Sequence, residues 1–295
     1  LTAAAARRAG AGLLASVMCL SVAPARAQAA DEVPFITTPD AVTTAMLEAA
    51  GTGPQDFVID LGSGDGRIVI TAAKRHGARG LGVEIVPSLV EQSRRAAASA
   101  GVADRVRFEA QDLFATGLGA ATVVTMYLLP QVNLRLRSRL FALAPGTRIV
   151  SHDWDLGDWA PDRTWVIPVP DKAVGREKAS RVHLWKVPVK VQGRWCAAGA
   201  VMDVQQHFAR FAAEVRADPA VASAPPVAVF DGRVSVEGLA ADGMAAEDAG
   251  APRFGLEASG RLRLVTAGGV LVPWVGREFT RTAPGAVACP PGASR

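Results

Sequence analysis

The chain has 295 residues, 49% of them hydrophobic and 20% charged, with a formal net charge of +4. It is too apolar for a disordered chain and long enough to bury the core of one large domain or two. Its basic residues are scattered rather than gathered into runs, so nothing marks a nucleic-acid binder.

At the N-terminus, Arg7 and Arg8 precede an apolar run over residues 11–23 that closes on Ala25-Arg26-Ala27, an A-x-A cleavage pattern. This predicts a signal peptide over residues 1–27 and an exported, periplasmic or extracytoplasmic protein beginning near Gln28. An uncleaved leader would instead serve as an anchor. The run falls short of the roughly 20 residues that cross a bilayer. Export would remove Cys19 and leave Cys196 and Cys289 where disulfides form, either paired or as two unrelated thiols.

From Thr38 the chain alternates helix-like and strand-like segments. Thr38 is placed to cap a helix with Pro39 at its first position, carried by Met46 and Leu47 to Gly51. A strand over residues 57–59 enters the stretch DLGSGDG, and a helix resumes over residues 68–74. A second strand, residues 80–83, ends at Glu84; Pro87 opens a helix to about Ala100; a third strand over residues 106–108 ends near Asp112. Residues 122–127 form a fourth strand, residues 134–143 a helix, and residues 148–150 a fifth strand. The pattern predicts an α/β fold: a mostly parallel, Rossmann-like sheet with helices on both faces. Residues 164–169 and 181–187 read as an antiparallel pair at its end.

Past residues 189–192, alternation and glycine turns predict a small antiparallel β domain, barrel-like in character. Val201, Val204, Phe208, Phe211 and Val215 also fit a helical spacing, but Met202, Val204, Gln206 and Phe208 alternate and their neighbours are β-like, which favours strand. Residues 217–225 and 240–252 read as loops. The expected domains are therefore residues 1–27, 28–190 and 191–295.

Glycines between a strand and a helix let the backbone approach a ligand, and the helix beyond offers unpaired N–H groups. Here Gly62, Gly64 and Gly66, with Ser63 among them, are spaced one residue tighter than the dinucleotide fingerprint. Asp60, before the first glycine, would repel a pyrophosphate but suits an ammonium group. Glu84 is placed to accept from a ribose diol, and Asp112 from an exocyclic adenine amine. Three acids at three successive strand ends describe an adenosine joined to an amino acid, with no metal cluster needed.

These residues resemble the class I S-adenosylmethionine-dependent methyltransferases, with VIDLGSGDGRIVI as first motif, GLGVEI as second and FEAQDLF as third. The likeness runs over roughly residues 33–188 and implies a seven-stranded sheet. VPFITTPDAVTTAML, VVTMYLLPQVNLRLRSRL and SHDWDLGDWAPD narrow the resemblance to the lysine methyltransferases that act on the mitochondrial ATP synthase c-subunit and adenine nucleotide translocase. It implies N-methylation of a protein lysine, S-adenosyl-L-methionine as cofactor, and cofactor contacts near Thr37 and Thr38, in the glycine loop, at Glu84 and at Asp112. A membrane-associated protein substrate stays open. The leader and the C-terminal region lie outside the resemblance.

Methyl transfer from a sulfonium needs a neutral nucleophile held in line, so positioning groups matter more than a covalent residue. Tyr127, at the end of the fourth strand, is placed to line an acceptor channel. In SHDWDLGDW, Trp154 or Trp159 can flank a lysine stem and Asp153 or Asp155 can orient its amine. Two competing readings are an exported binding module without turnover and a methyltransferase acting on a small-molecule amine.

Overall fold

The computed structural model describes residues 36–173, 177–217, 225–242, 250–283 and 289. The expected leader lies outside them, as does most of the loop predicted over residues 217–225.

The first helix, α1 (Asp40–Ala49), places Val42, Met46 and Leu47 on one stripe and buries them. It starts at Asp40 with Pro39 as N-cap, and Thr38 does not cap it. Proline holds the preceding residue extended, and the buried Thr38 hydroxyl instead faces His152 Nδ1 at 3.4 Å. There follow β1 (Phe57–Leu61), α2 (Arg67–His76), β2 (Arg79–Glu84), α3 (Pro87–Ser99), β3 (Val106–Ala110) and β4 (Val123–Met126). Next come α4 (Pro130–Phe141), β5 (Arg148–His152), β6 (Arg163–Pro168) and β7 (Ala179–Lys186). Helix α4 begins four residues before the expected Leu134, because Pro130 takes the first helical position, where its missing N–H removes no bond.

The strands form one seven-stranded sheet in the order β3-β2-β1-β4-β5-β7-β6. The first five in that order are parallel, while β7 runs antiparallel to both β5 and β6. All four residues of β4 are buried, the continuous burial expected of a strand covered on both faces. From β1 the chain steps outward to β2 and β3, then returns past β1 to β4 and β5. Right-handed crossovers thereby put α2 and α3 on one face and α4 on the other. The reversal opens a crevice at the C-terminal ends of β1 and β4, where ligands bind in sheets of this kind.

Eight further strands close an antiparallel barrel: β8 (Gly193–Ala197), β9 (Ala200–His207), β10 (Arg210–Arg216), β11 (Ala228–Val234), β12 (Gly238–Ala241), β13 (Arg253–Leu256), β14 (Leu262–Thr266) and β15 (Glu278–Arg281). The segment that also fitted a helical period is the hairpin β9–β10. Ala240 and Ala241, expected in a loop, extend β12, where they pair with β11. Alternate residues point inward, as with Phe211, Ala213 and Val215 of β10, and they fill the interior with Trp195, Phe254 and Phe279. The barrel is a packed core rather than an open cavity.

Cys196 of β8 is joined to Cys289 by a disulfide with a Cα–Cα distance of 5.8 Å, which decides between the two readings of these cysteines. The bridge spans 93 positions of sequence, and closing a loop of that size restricts the unfolded chain enough to stabilise the fold by about 4.7 kcal/mol. Cys196→Ser is expected to lower the thermal midpoint of the barrel and to abolish its sensitivity to reductant. Melting curves of both proteins with and without dithiothreitol measure this, and equal midpoints would show that the bridge adds nothing.

Candidate active site

The turn from β1 into α2 is held by its glycines. Gly62, Gly64 and Gly66 have φ of 74°, 53° and 79°, in the left-handed region. At Gly66 a side chain would also collide, since a Cβ there would lie 2.7 Å from the Phe108 ring. The N–H groups of Gly62 and Ser63 both donate to the Val83 carbonyl, at 3.0 and 2.9 Å, which ties the turn to β2. Glu84 then completes the tie. One carboxylate oxygen accepts the Gly64 N–H at 3.0 Å and the other the Val86 N–H at 3.1 Å. Ser93 of α3 closes the loop from outside by donating to the Gly64 carbonyl at 2.9 Å. The buried Ser63 hydroxyl has no protein partner.

Asp60 is buried at the end of β1 and accepts one hydrogen bond, from the Thr125 hydroxyl of β4 at 2.7 Å. No basic side chain pairs with it among the described residues. Burial, reinforced by the nearby charges of Asp65 and Glu84, pushes its pKa up to about 7 against the pull of Thr125. Asp65 itself is paired with Arg67 at 2.6 Å, and Arg67 reaches across to the Thr38 carbonyl at 2.9 Å. Asp60, Gly62, Ser63, Gly64, Gly66 and Glu84 thus share one cradle, with Thr38 on its rim. Thr37 is exposed beside Thr38. Asp112, two residues past β3, lies in an exposed turn where it accepts the Phe114 N–H at 2.8 Å, while neighbouring Gln111 donates to the Glu84 carbonyl at 3.0 Å.

These residues fit S-adenosylmethionine. A buried carboxylate without a cation suits the ammonium of its amino-acid end, and an orphaned hydroxyl in the loop suits a polar ligand group.

A second cluster sits at the ends of β4 and β5. The Tyr127 ring stacks on His152 with centroids 3.8 Å apart. His152 is fully buried, and its Nε2 lies 2.9 Å from the Ser180 hydroxyl. Burial holds its pKa well below the ordinary imidazole value, at about 4, against the pull of Asp153 and with the Lys172 ammonium acting in the same direction as burial. Burial would raise Asp153, but the Lys172 ammonium at 2.7 Å, the Arg181 N–H at 2.9 Å and nearby positive charge keep it below the usual carboxylate range. Tyr127 is pushed up by burial and by Asp153, so it stays protonated.

Beyond Asp153 the loop is fixed by its main chain. Asn133 of α4 donates to the carbonyls of Trp154 and Asp155 at 3.1 and 3.3 Å. Trp154 leaves its side chain exposed, and the Asp155 carboxylate accepts the Gly157 N–H at 3.0 Å. The geometry gathers Tyr127, His152 and Asp153, while Asp155 closes its own turn.

The ANTKMT methyltransferase domain model matches residues 60–163. A protein-lysine N-methyltransferase of Saccharolobus islandicus is 41% identical over 141 residues, which cover 47% of this chain and 86% of that protein. The chain belongs to the protein-lysine N-methyltransferase family. Within that family, the lysine N-methyltransferase of Rattus norvegicus named for the ATP synthase c-subunit is 37% identical over 108 residues, 36% of this chain and half of that protein. A crystal structure described as an RNA methyltransferase from Salinibacter ruber with S-adenosyl-L-homocysteine is 51% identical, covering 53% of this chain and 96% of that one, with a TM-score of 0.48. The chain is an S-adenosylmethionine-dependent methyltransferase.

Several polar residues of this methyltransferase escape sequence reasoning: Thr125, Asn133, Lys172 and Ser180. None of them carries a signal: Asn133 falls just before the helix expected over residues 134–143, and its burial near the start of α4 is apparent only in the fold. Asp60 generates a prediction. Its folded pKa of about 7 lies above the ordinary aspartate value of 3.8. The stability it contributes is therefore full below that lower value and is lost as pH rises through about 7. Asp60→Asn is expected to gain on the parent as pH rises from about 5 to about 8, by at most roughly 3 kcal/mol. Urea unfolding of ligand-free protein at both pH values reads the difference, and a pH-independent gap would remove Asp60 as the cause.

Proposed function

We propose that this chain transfers the methyl group of S-adenosylmethionine to the side-chain amine of a protein lysine, outside the cytoplasm. The observation that carries the acceptor reading is the pairing of Asp153 with an ammonium group. The end of the sheet beside Tyr127 already receives a lysine side chain, that of Lys172 at 2.7 Å. Family membership, with relatives named for lysine in the ATP synthase c-subunit and in adenine nucleotide translocase, supports the same choice. The Cys196–Cys289 bridge supports an oxidising compartment, and so an exported protein.

In this reading Asp60 and Thr125 receive the cofactor's amino-acid ammonium, Ser63 and the glycine loop its amino-acid end, Glu84 the ribose hydroxyls and Asp112 the adenine amine. Thr37 and Thr38 border the same space. When bound, the cofactor supplies a methyl group activated by a sulfonium. The chain's own residues prepare the acceptor. Tyr127, held protonated, orients the amine through its hydroxyl. Asp153 draws the ammonium in, Trp154 covers the lysine stem, and the buried, neutral His152 excludes water behind the Tyr127 ring. The ionised Asp153 favours the ammonium form, so the amine must first lose a proton to solvent water, which reaches the site beside the exposed Trp154, and partial desolvation against the Tyr127 ring favours that loss.

The test is transfer of labelled methyl groups from the cofactor to a mixture of cell-envelope proteins, total RNA and lipid amines, followed by peptide mass mapping. Methyl-shifted lysine peptides are expected. Label confined to RNA or to small amines would overturn the lysine reading.

Two substitutions separate the halves of the site. Glu84→Ala removes a charged acceptor and is expected to weaken S-adenosylhomocysteine binding about 10- to 100-fold by calorimetry. Tyr127→Phe is expected to leave that affinity unchanged and to lower methyl transfer about tenfold. Equal effects of both on cofactor affinity would refute the division.

A further inference from the structure

Two non-glycine residues have left-handed φ among the described residues: Asp153 at 63° and Phe208 at 51°. They lie 55 positions apart in sequence and on different parts of the fold, yet both act on the loop of residues 153–159. Asp153 opens that loop. Phe208 stands in the turn of the β9–β10 hairpin and lays its ring on Trp159, with centroids 5.4 Å apart and planes within 4°. The same ring meets Phe141 of α4 edge-on at 5.2 Å and carries the Arg137 guanidinium 5.0 Å from its centroid.

The contacts around this stack converge on the loop. Arg137 donates to the Leu156 carbonyl at 3.2 Å and pairs with Asp158. Asp158 also receives His207 of the hairpin at 2.8 Å. Trp159 is fully buried, and its carbonyl accepts the Trp185 indole N–H at 2.7 Å. Behind the turn, Gln206 donates to the Phe208 carbonyl at 2.8 Å and the Val189 carbonyl at 2.9 Å, which fixes the backbone beneath the ring. A hairpin turn that needs positive φ ordinarily takes glycine or asparagine. An aromatic residue there is held by its surroundings, and strain of that kind gathers at functional sites. The matched family domain ends at residue 163, before the barrel begins.

We propose that Phe208 is a positioning residue for methyl transfer: the barrel hairpin clamps the loop over residues 153–159 and thereby fixes Asp153 and Trp154 at the acceptor end of the sheet. The inference rests on the lysine reading only for the identity of the acceptor. The barrel works in cis as part of the acceptor site, while the cofactor cradle on β1 and β2 stands on contacts of its own.

Phe208→Gly removes the ring and lets the turn relax without backbone strain. Hydrogen exchange of the full chain, read at the amides of Asp153, Trp154, Gly157 and Trp159, is expected to quicken about tenfold or more, with the barrel amides unchanged. S-adenosylhomocysteine affinity is expected to stay within about twofold. With poly-L-lysine as acceptor, KM is expected to rise about tenfold with a smaller change in kcat, and Phe208→Tyr to restore both readouts. Unchanged exchange in the loop would overturn the proposal, as would faster exchange with unaltered kinetic constants. If Phe208→Gly also loosens the barrel amides, Phe208→Leu decides by the same criteria, since it keeps the bulk and loses the stack. Absence of transfer by the parent protein would count against the lysine reading alone, and the exchange result would still decide the role of Phe208.

Discussion

The carboxylate of Glu84 bonded to the N–H of Gly64 is the interaction on which the cofactor side of the molecule depends. It joins the end of one parallel strand to the turn leaving its neighbour, and the turn runs through three left-handed residues, of which Gly64 gives its N–H to that carboxylate. Glycine is the residue that adopts such angles without strain. The close approach of Phe108 to Gly66 and Gly82 shows the same constraint from the packing side: a Cβ at Gly82 would stand 2.5 Å from that ring. Loop, acid and aromatic ring therefore form one unit, and the glycines serve packing as much as ligand approach.

Opposite this unit, the proposed acceptor end is built from contacts between distant parts of the chain. Its floor is β5, its wall is α4 through Asn133 and Arg137, and its outer support is the barrel hairpin. Each contributes polar or aromatic groups to main-chain atoms of one short loop. The loop gains order this way, because hydrogen bonds to its carbonyls and a stack on Trp159 add to the burial of Leu156 and Trp159. The asymmetry is functional in form. The cradle is complete within the sheet, whereas the acceptor side borrows rigidity from a second structure.

That difference explains what can be read from sequence. The strands, the helices, the glycine loop and the acids at strand ends are legible because each is local: an apolar period, a turn residue, a charge at a boundary. The hairpin over residues 200–216 fits both periods, and pairing with β8 and β11 resolves it. The role of Thr38 departs from the expected cap because its hydroxyl is taken by a residue 114 positions away. Lys172, Thr125 and Phe208 give no signal, since a lone polar residue in an apolar strand or a lone aromatic in a turn acquires its meaning only from what folds against it. The glycine turn with its acids is thus largely visible, and the loop over residues 153–159 is visible as a motif without its supports.

Asp60 and Asp153 show the same division in electrostatic terms. Asp60 sits against a neutral hydroxyl with two other acids nearby, so burial raises its pKa to about 7 and the group is electrostatically incomplete. Asp153, less enclosed, has a lysine at 2.7 Å and a backbone N–H besides, and stays ionised. When environments drive two like groups apart, their tasks differ as well. Asp60 lacks a cation that the described chain does not supply, which makes it a place for a ligand to bring one. Asp153 has its cation already, so under the proposed acceptor role an incoming lysine would exchange with Lys172 rather than fill an empty place. Such an exchange replaces one ammonium by another at nearly constant charge, so it avoids the desolvation cost of a newly buried carboxylate, and it turns acceptor binding into a competition within the protein itself.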